Sequence, residues 1–358
     1  MFTSIWFSIV LWMIAPFLML PSSCKQHKIQ AALPTRPNEE VTNNYPFGKN
    51  IDFIFQDKKD RYWIASNADG VFRYDGNTIV HFTDSVGFCF NYVWSIQEDT
   101  QGNLWFAGRD GICRYDGIKF SNFNETIASA PEGKLNFMPG DLIFAIPDGK
   151  TVHYDGKKFT QFKITPETYI PERSNLNRPY ALYSYLRDQS GKIWFGTQSK
   201  GVCVYDGYQY KYMDSLDLGG PAVRTILADK NGNLWFGNNG GGLFQFDGKH
   251  LINITEKFGL GNQEFLRNFA SKDMPTSMAR VFAINEDTSG NIWVGTADAG
   301  IWRYDGKELK HYTVEDGLCG YNIIHIFKNR TGDLWFVCNG QEIMYFDGQS
   351  FRPVIFLH

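Results

Sequence analysis

The chain has 358 residues, of which 16% are aromatic, including 30 Phe, 18 Tyr and 10 Trp. So much ring surface excludes a disordered chain and suffices for a large buried core. A formal net charge of −3 removes any global electrostatic case for nucleic acid.

The first element in chain order is an apolar run, Phe2–Leu20, interrupted by Pro16 and followed by Pro21, Ser22, Ser23 and Cys24. It is short for a membrane-spanning helix and reads as a secretory leader. Cys24 after two small residues resembles the lipobox of bacterial lipoproteins, in which that Cys is lipidated and becomes the mature N-terminus. The match departs in having no Lys or Arg ahead of the run and in having Pro21 where the motif has Leu. An ordinary cleaved signal and an uncleaved anchor are the alternatives, and all three place the rest of the chain outside the cytoplasm. The expected organisation is a signal peptide over residues 1–23, a lipid-attachment site with a flexible Pro- and Asn-containing tether over 24–48, and one repeat domain over 49–358.

From residue 49 onward one phrase recurs. Its clearest copy is Glu98–Phe120, EDTQGNLWFAGRDGICRYDGIKF, and it returns at Ala228–Gly248 and Glu286–Gly306. Two anchors count the copies. A tryptophan follows a turn, most often Asp-x-x-Gly, at Trp63, Trp105, Trp194, Trp235, Trp293 and Trp335. An aromatic-Asp-Gly turn follows at Asp75, Asp116, Asp155, Asp206, Asp247, Asp305 and Asp347. The third copy has Phe144 in place of the tryptophan, so there are seven units. Within the second unit, short period-two runs predict strands at Val93–Gln97, Leu104–Gly108, Gly111–Tyr115 and Lys119–Phe123. Four antiparallel strands in about 41 residues make one propeller blade. The expected fold is all-β, a seven-bladed β-propeller of four-stranded antiparallel blades.

These units resemble the two-component regulator propeller repeat of bacterial hybrid histidine kinases. The resemblance is carried by runs such as Asp188-Gln189-Ser190-Gly191-Lys192-Ile193-Trp194-Phe195-Gly196-Thr197, by Gly201-Val202-Cys203-Val204-Tyr205-Asp206-Gly207, and by Asp316-Gly317-Leu318 before the last unit. It departs in unit three, in the long connections Phe159–Tyr180 and Ile252–Ala279, and at Asn329, which replaces the first Asp of unit seven. The resemblance implies a periplasmic ligand-binding sensor region that serves signal transduction.

Antiparallel parity assigns the loops to two faces. The near-constant Asp-x-x-Gly and Asp-Gly turns share one face and read as structural. The loops between second and third strands, and the connections between blades, share the other, where the units differ. Variable loops on a rigid scaffold are the usual seat of recognition. The candidate ligand-binding residues at this mouth are Asn67, Asp69, Asn91, Tyr92, Trp94, Arg109, Asp110, Gln198, Lys200, Arg224, Asn238, Asn239, Arg280, Asp298, Tyr321, Asn322 and Asn339. Aromatic faces mixed with Asn, Asp and Arg suit an oligosaccharide, an anionic one included.

No catalytic constellation is expected. Of the seven histidines only His325 falls on an innermost strand, so no His-based metal or acid–base site can be assembled at the mouth. The run Asp229–Asn233 has some look of a calcium loop but lacks its ligand spacing and distal Glu, and it recurs as a turn. Of the six cysteines, four occupy equivalent positions in different repeats, Cys113 with Cys203 and Cys89 with Cys319, while Cys24 follows the leader and Cys338 stands apart, and the expectation is small buried thiols. The expected function is an extracytoplasmic ligand-binding or protein-interaction propeller without catalysis or cofactor, in the bacterial periplasm or at the outer-membrane surface. The expected partners are a small molecule, an oligosaccharide or an envelope protein. The alternative is a propeller enzyme, a lyase or polysaccharide-active hydrolase, using mouth carboxylates.

Overall fold

The computed structural model describes residues 47, 50–146, 149–166, 180–213, 218, 222–268 and 276–356. The apolar leader, Cys24 and the tether lie outside the described residues, as do parts of both long connections. Residues 1–43 and 44–358 are separate units, and the second holds every described element.

The repeats fold as expected into seven antiparallel sheets. Blade 1 contains β1 (Ile51–Gln56), β2 (Tyr62–Ser66), β3 (Gly70–Tyr74) and β4 (Ile79–Phe82). Blade 2 contains β5 (Val93–Glu98), β6 (Leu104–Gly108), β7 (Gly111–Tyr115) and β8 (Phe120–Asn122), followed by the short helix α1 (Asn124–Ala128). Blade 3 contains β9 (Leu142–Ile146), β10 (Lys150–Tyr154) and β11 (Phe159–Phe162). Blade 4 contains β12 (Leu182–Arg187), β13 (Ile193–Thr197), β14 (Val202–Tyr205) and β15 (Tyr210–Met213). Blade 5 contains β16 (Val223–Ala228), β17 (Leu234–Asn238), β18 (Gly242–Phe246) and β19 (Leu251–Asn253), then α2 (Ile254–Lys257) and α3 (Gln263–Asn268). Blade 6 contains β20 (Val281–Glu286), β21 (Ile292–Thr296), β22 (Ile301–Tyr304) and β23 (Leu309–Tyr312). Blade 7 contains β24 (Ile323–Lys328), β25 (Leu334–Cys338), β26 (Glu342–Phe346) and β27 (Phe351–Pro353).

The core lies between the blades. Buried side chains form seven clusters, and each draws on two adjacent blades. The tryptophan of each second strand faces the next blade: Trp63 packs on Phe106 and Tyr115 of blade 2, and Trp293 on Phe336 and Phe346 of blade 7. In blades 4, 5 and 6 a Gly two residues on, Gly196, Gly237 or Gly295, keeps the blades close. A Cβ at Gly196 would lie 2.5 Å from the Val223 carbonyl oxygen of blade 5. Among the described residues the ring closes without strand exchange, since every sheet is built from consecutive strands. Blade 7 meets blade 1 through Tyr62 stacked on Trp335 at 4.7 Å, Phe47 against Phe356 at 4.5 Å, and the Ile51 amide donating to the Gly340 carbonyl at 2.6 Å.

The two constant turns are structural. Asp99 Oδ1 accepts the amides of Gln101 and Asn103, while Oδ2 accepts Asn103 Nδ2 and the Trp105 indole at 2.9 Å. Asp229 repeats this with Asn231, Asn233 and Trp235, so the calcium-like run spends both carboxylate oxygens on its own turn. In the second turn, Asp116 accepts the amides of Ile118 and Lys119, and the Tyr115 hydroxyl donates to the Gly117 carbonyl.

Two departures matter. Blade 3 has three strands: β9 carries Phe144 at the tryptophan position, so the innermost strand is the one lacking. The segment where it belongs holds Pro131, Gly133, Pro139 and Gly140, which cannot sustain a ladder. That segment instead borders the outer side of β11, with the Gly133 amide donating to Gln161 O and the Gln161 amide to Pro131 O, both at 2.9 Å. The second departure corrects the expected buried thiols. Cys89 is bonded to Cys113 and Cys319 to Cys338, with Cα separations of 5.9 and 6.0 Å. The repeat-equivalent cysteines remain apart; the bridges form within a blade, because the loop leading into a first strand lies over that blade's own inner strands. Cys203 is buried and free.

Candidate functional site

The loop faces divide as parity requires. In six blades the residue after the second strand donates its amide to the residue before the first: Asn67 to Asn50, Arg109 to Tyr92, Gln198 to Ala181, Asn239 to Ala222, Ala297 to Arg280 and Asn339 to Asn322. These loops also reach the next blade, as when the Gly70 amide donates to Asn91 O and that of Gly300 to Tyr321 O. The expected mouth residues therefore share one end of the ring.

The centre of that mouth is made by a feature repeated six times. Each first strand outside blade 3 carries a register shift one residue after its start. A bulge leaves one residue out of the ladder and re-aims its side chain. The bulged residues are Asp52, Trp94, Tyr183, Arg224, Phe282 and Ile324. Those of blades 4, 5 and 6 converge: the Arg224 guanidinium lies 4.9 Å from the Tyr183 ring centre and 4.6 Å from that of Phe282. Trp94 and Tyr183 are 44% and 42% exposed, high for rings that size on an innermost strand. Asp52 has neither a hydrogen bond nor an ion pair among the described residues, and burial pushes its carboxyl up to about 6.

Of the residues expected at the mouth, Trp94 and Arg224 belong to this ring. Others support it from outside. Arg280 is paired with Asp298 at 3.0 Å, reaches Asn239 and lies over Phe265. Arg109 stacks on Tyr92 at 3.8 Å. Several serve the loops themselves: Asn91 accepts the Asp84 amide, Asn238 that of Gly241, and Asn339 that of Asn322. The Asp69 carbonyl meets His81 on the outermost strand, and the Asp110 carbonyl meets Asn124. Asn67, Lys200 and Tyr321 are exposed on the rim, with Gln198 partly covered. Loop reasoning names Trp94 and Arg224 but not their equivalents Asp52, Tyr183, Phe282 and Ile324, which hold the same second position of a first strand. The signal is present nonetheless, since each bulged residue stands eleven positions before its blade's tryptophan.

Blade 3 contributes no bulge. Its exposed inner edge is covered by side chains from both neighbours. Trp94 Nε1 donates to Ala145 O at 3.3 Å, and Gln97 Nε2 to Ile143 O at 2.8 Å. The Tyr185 hydroxyl of blade 4 donates to Gln97 Oε1 at 2.5 Å, and burial pushes its pKa up to about 12. His325 is stacked on Phe53 at 4.6 Å, and burial pulls its pKa down to about 4. Neither ring is placed or tuned as an acid–base group for neutral pH.

Three segments, residues 87–110, 217–240 and 277–298, match the family described as two component regulator propeller. Each runs from the approach to a first strand to the loop after the second. These stretches are two-component regulator propeller repeats, and the chain is a seven-bladed propeller that carries them. Among solved structures, the extracellular domain of a putative one component system from B. thetaiotaomicron is similar at TM-score 0.60 and 19% identity, over 85% of this chain and 38% of that one. The chain thus spans little more than a third of that relative. A streptogramin B lyase is similar at TM-score 0.60 and 16% identity, over 84% of this chain and 93% of the lyase. PorZ, a surface component of the type-IX secretion system of Porphyromonas gingivalis, is similar at TM-score 0.51 and 14% identity, over 83% of this chain and 46% of PorZ. At these identities the likeness is one of fold. A search of curated proteins found no match.

Proposed function

We propose that the chain is an extracytoplasmic recognition module, a sensor-like propeller that binds a ligand or an envelope partner at the bulged mouth and performs no chemistry on it. The observation that carries this is the repeated bulge: one backbone device, used six times, displays six different side chains on the innermost strands, of which Tyr183, Arg224 and Phe282 meet. Two disulfides support a compartment outside the cytoplasm, where such bonds persist. The repeat family supports a sensing role. Membrane attachment through Cys24 completes the reading.

Binding and turnover separate this from the enzyme reading. Full-length protein isolated from envelopes is expected to carry or capture a ligand that raises its melting temperature and is recovered unchanged. Trp94→Ala and Tyr183→Ala are expected to remove that shift without lowering the melting temperature of the ligand-free protein by more than a few degrees. If the ligand is instead cleaved, and Asp110→Asn or Asp298→Asn stops the cleavage, the non-catalytic reading fails.

A further inference from the structure

The end of the ring opposite the mouth has an uneven surface of its own. There the Asp-Gly turns put a polar residue at the tip in blades 1, 5, 6 and 7, namely Asn77, Lys249, Lys307 and Gln349. In blades 2 and 4 the same position holds Ile118 and Tyr208, which are 91% and 93% exposed. Blade 3 stands between them. Its turn into β9 presents Met138, 57% exposed, and lies on the same face, since a Cβ at Gly140 would meet Thr100 Cγ2 of blade 2 at 2.6 Å. Among the described residues, the large apolar side chains exposed on this face therefore fall in three consecutive blades. An apolar tip at such exposure buries nothing on folding, and a cluster of them marks a surface that meets something.

Charge is layered around these tips. Asp116 Oδ1 accepts the amides of Ile118 and Lys119, Asp155 Oδ1 those of Lys157 and Lys158, and Asp206 Oδ1 those of Tyr208 and Gln209. The carboxylates are thus folded back onto their own turns. Lys119, Lys157, Lys158 and Lys192 are exposed among the tips, and none is in an ion pair among the described residues. Single apolar tips with ammonium groups between them lack the continuous apolar centre of a protein interface. A bilayer accepts such tips one by one: Ile and Met reach the acyl boundary, Tyr sits at headgroup level, and lysines meet lipid phosphates.

We infer that the turn face of blades 2, 3 and 4 rests on an anionic phospholipid bilayer, so that the mouth opens away from the membrane. This rests on the membrane attachment proposed above and gives it an orientation. The propeller begins at the mouth, where the Asn50 carbonyl accepts the Asn67 amide. The 24–48 tether reaches about 80 Å when extended, against about 20 Å for a six-residue strand, so attachment at Cys24 allows this orientation.

The test uses full-length protein isolated from envelopes and reconstituted in nanodiscs of phosphatidylethanolamine and phosphatidylglycerol. Hydroxyl-radical footprinting reads both ends of the ring at once, through Met138 and Tyr208 on one and Trp94 and Tyr183 on the other. Oxidation of Met138 and Tyr208, relative to Trp94 and Tyr183, is expected to be low in the parent. It is expected to rise by about fivefold or more when Ile118→Ser is combined with Lys157→Glu and Lys158→Glu, which leave all four reporters in place. Added salt is expected to move the parent the same way by a smaller factor. Lys119→Glu with Lys192→Glu repeats the test on the neighbouring charges, and thermal melts show that each variant is folded. Equal relative oxidation in parent and folded variants, or shielding of Trp94 and Tyr183 instead, overturns the inference. Shielding of Met138 and Tyr208 in intact envelopes but not in lipid nanodiscs also overturns it, since the cover is then a protein. A chain that does not stay with the nanodisc sinks the attachment at Cys24 as well. Ligand capture at the mouth, tested separately above, stands or falls on its own.

Discussion

Asn329 donates its side-chain amide to Asp333 at 3.0 Å, the reverse of the bond that Asn103, Asn233 and Asn291 make to Asp99, Asp229 and Asp287. Blade 7 has exchanged the two residues across one turn. Asn329 Oδ1 still accepts the Asp333 backbone amide, so the turn survives. What is lost is the carboxylate that anchors the indole, since Trp335 makes no bond of the kind that Trp293 makes to Asp287 at 2.8 Å. Asn329→Asp alone sets two carboxylates in contact and is expected to destabilise the propeller by about 1–2 kcal/mol. Asn329→Asp with Asp333→Asn is expected to restore the anchor and end about 1 kcal/mol above the parent. A double-mutant cycle in urea measures the coupling, and additive effects would refute the exchange argument.

Gln97 bonds to blade 3 on one side and to blade 4 on the other, through Ile143 O and the Tyr185 hydroxyl. Gln97→Leu leaves a carbonyl and a buried hydroxyl without partners. The expected loss is about 2 kcal/mol, against less than about 0.5 kcal/mol for an exposed control such as Lys59→Ala. Amide exchange at Ile143 and Ala145 is expected to rise with it.

The disulfides close loops of 24 and 19 residues and pin the approaches to blades 2 and 7. Each is expected to contribute about 3 kcal/mol. Reduction should therefore lower the melting temperature in two increments, separable by Cys89→Ala with Cys113→Ala and by Cys319→Ala with Cys338→Ala. Cys203→Ala, which breaks no bridge, should leave the response to reductant unchanged.

Asp52 gives the mouth a pH dependence of unusual sign. Its folded-state pKa is raised to about 6 from 3.8 by burial, so between these values the folded protein binds more protons than the unfolded chain. Stability from this group falls as pH rises through that window, and the cost is fully present above the folded pKa. Asp52→Asn should stabilise the protein at pH 7.5 by about 1 kcal/mol, after discounting for partial solvent screening, and should change little at pH 3.5. Asp99, in a turn between first and second strands, acts oppositely. At Asp99 burial raises the pKa, but the bonds from Trp105, Asn103 and Gln101 outweigh it, so its contribution is lost as pH falls through the lowered value.

The frame of this fold is legible because it repeats. Trp105, Asp99 and Asp116 each have counterparts whose spacing barely changes, and a residue type kept at a fixed offset reveals a packing or turn requirement. The mouth is harder to read because its residues are those the repeat leaves free. Trp94 and Arg224 fall among the residues picked out by loop position, whereas Tyr183 and Phe282 read as ordinary strand aromatics until the bulge turns them inward. A bulge depends on register with a partner strand, which no single stretch of sequence displays. The disulfides escape comparison across blades, because Cys89 and Cys113 are neighbours only through the fold of one blade. The incomplete blade is visible in Pro131 and Pro139, where an alternating run would be needed.

The seam between blades 7 and 1 has a topological consequence. Because Phe47 packs on Phe356 and, among the described residues, no strand crosses from one of these blades to the other, the seven blades behave as a loop cut at this seam. Every blade is then equivalent in rank: none is a clasp on which the others depend. A chain rejoined across that seam and opened between two other blades would trace the same ring, with its six bulged first strands unchanged.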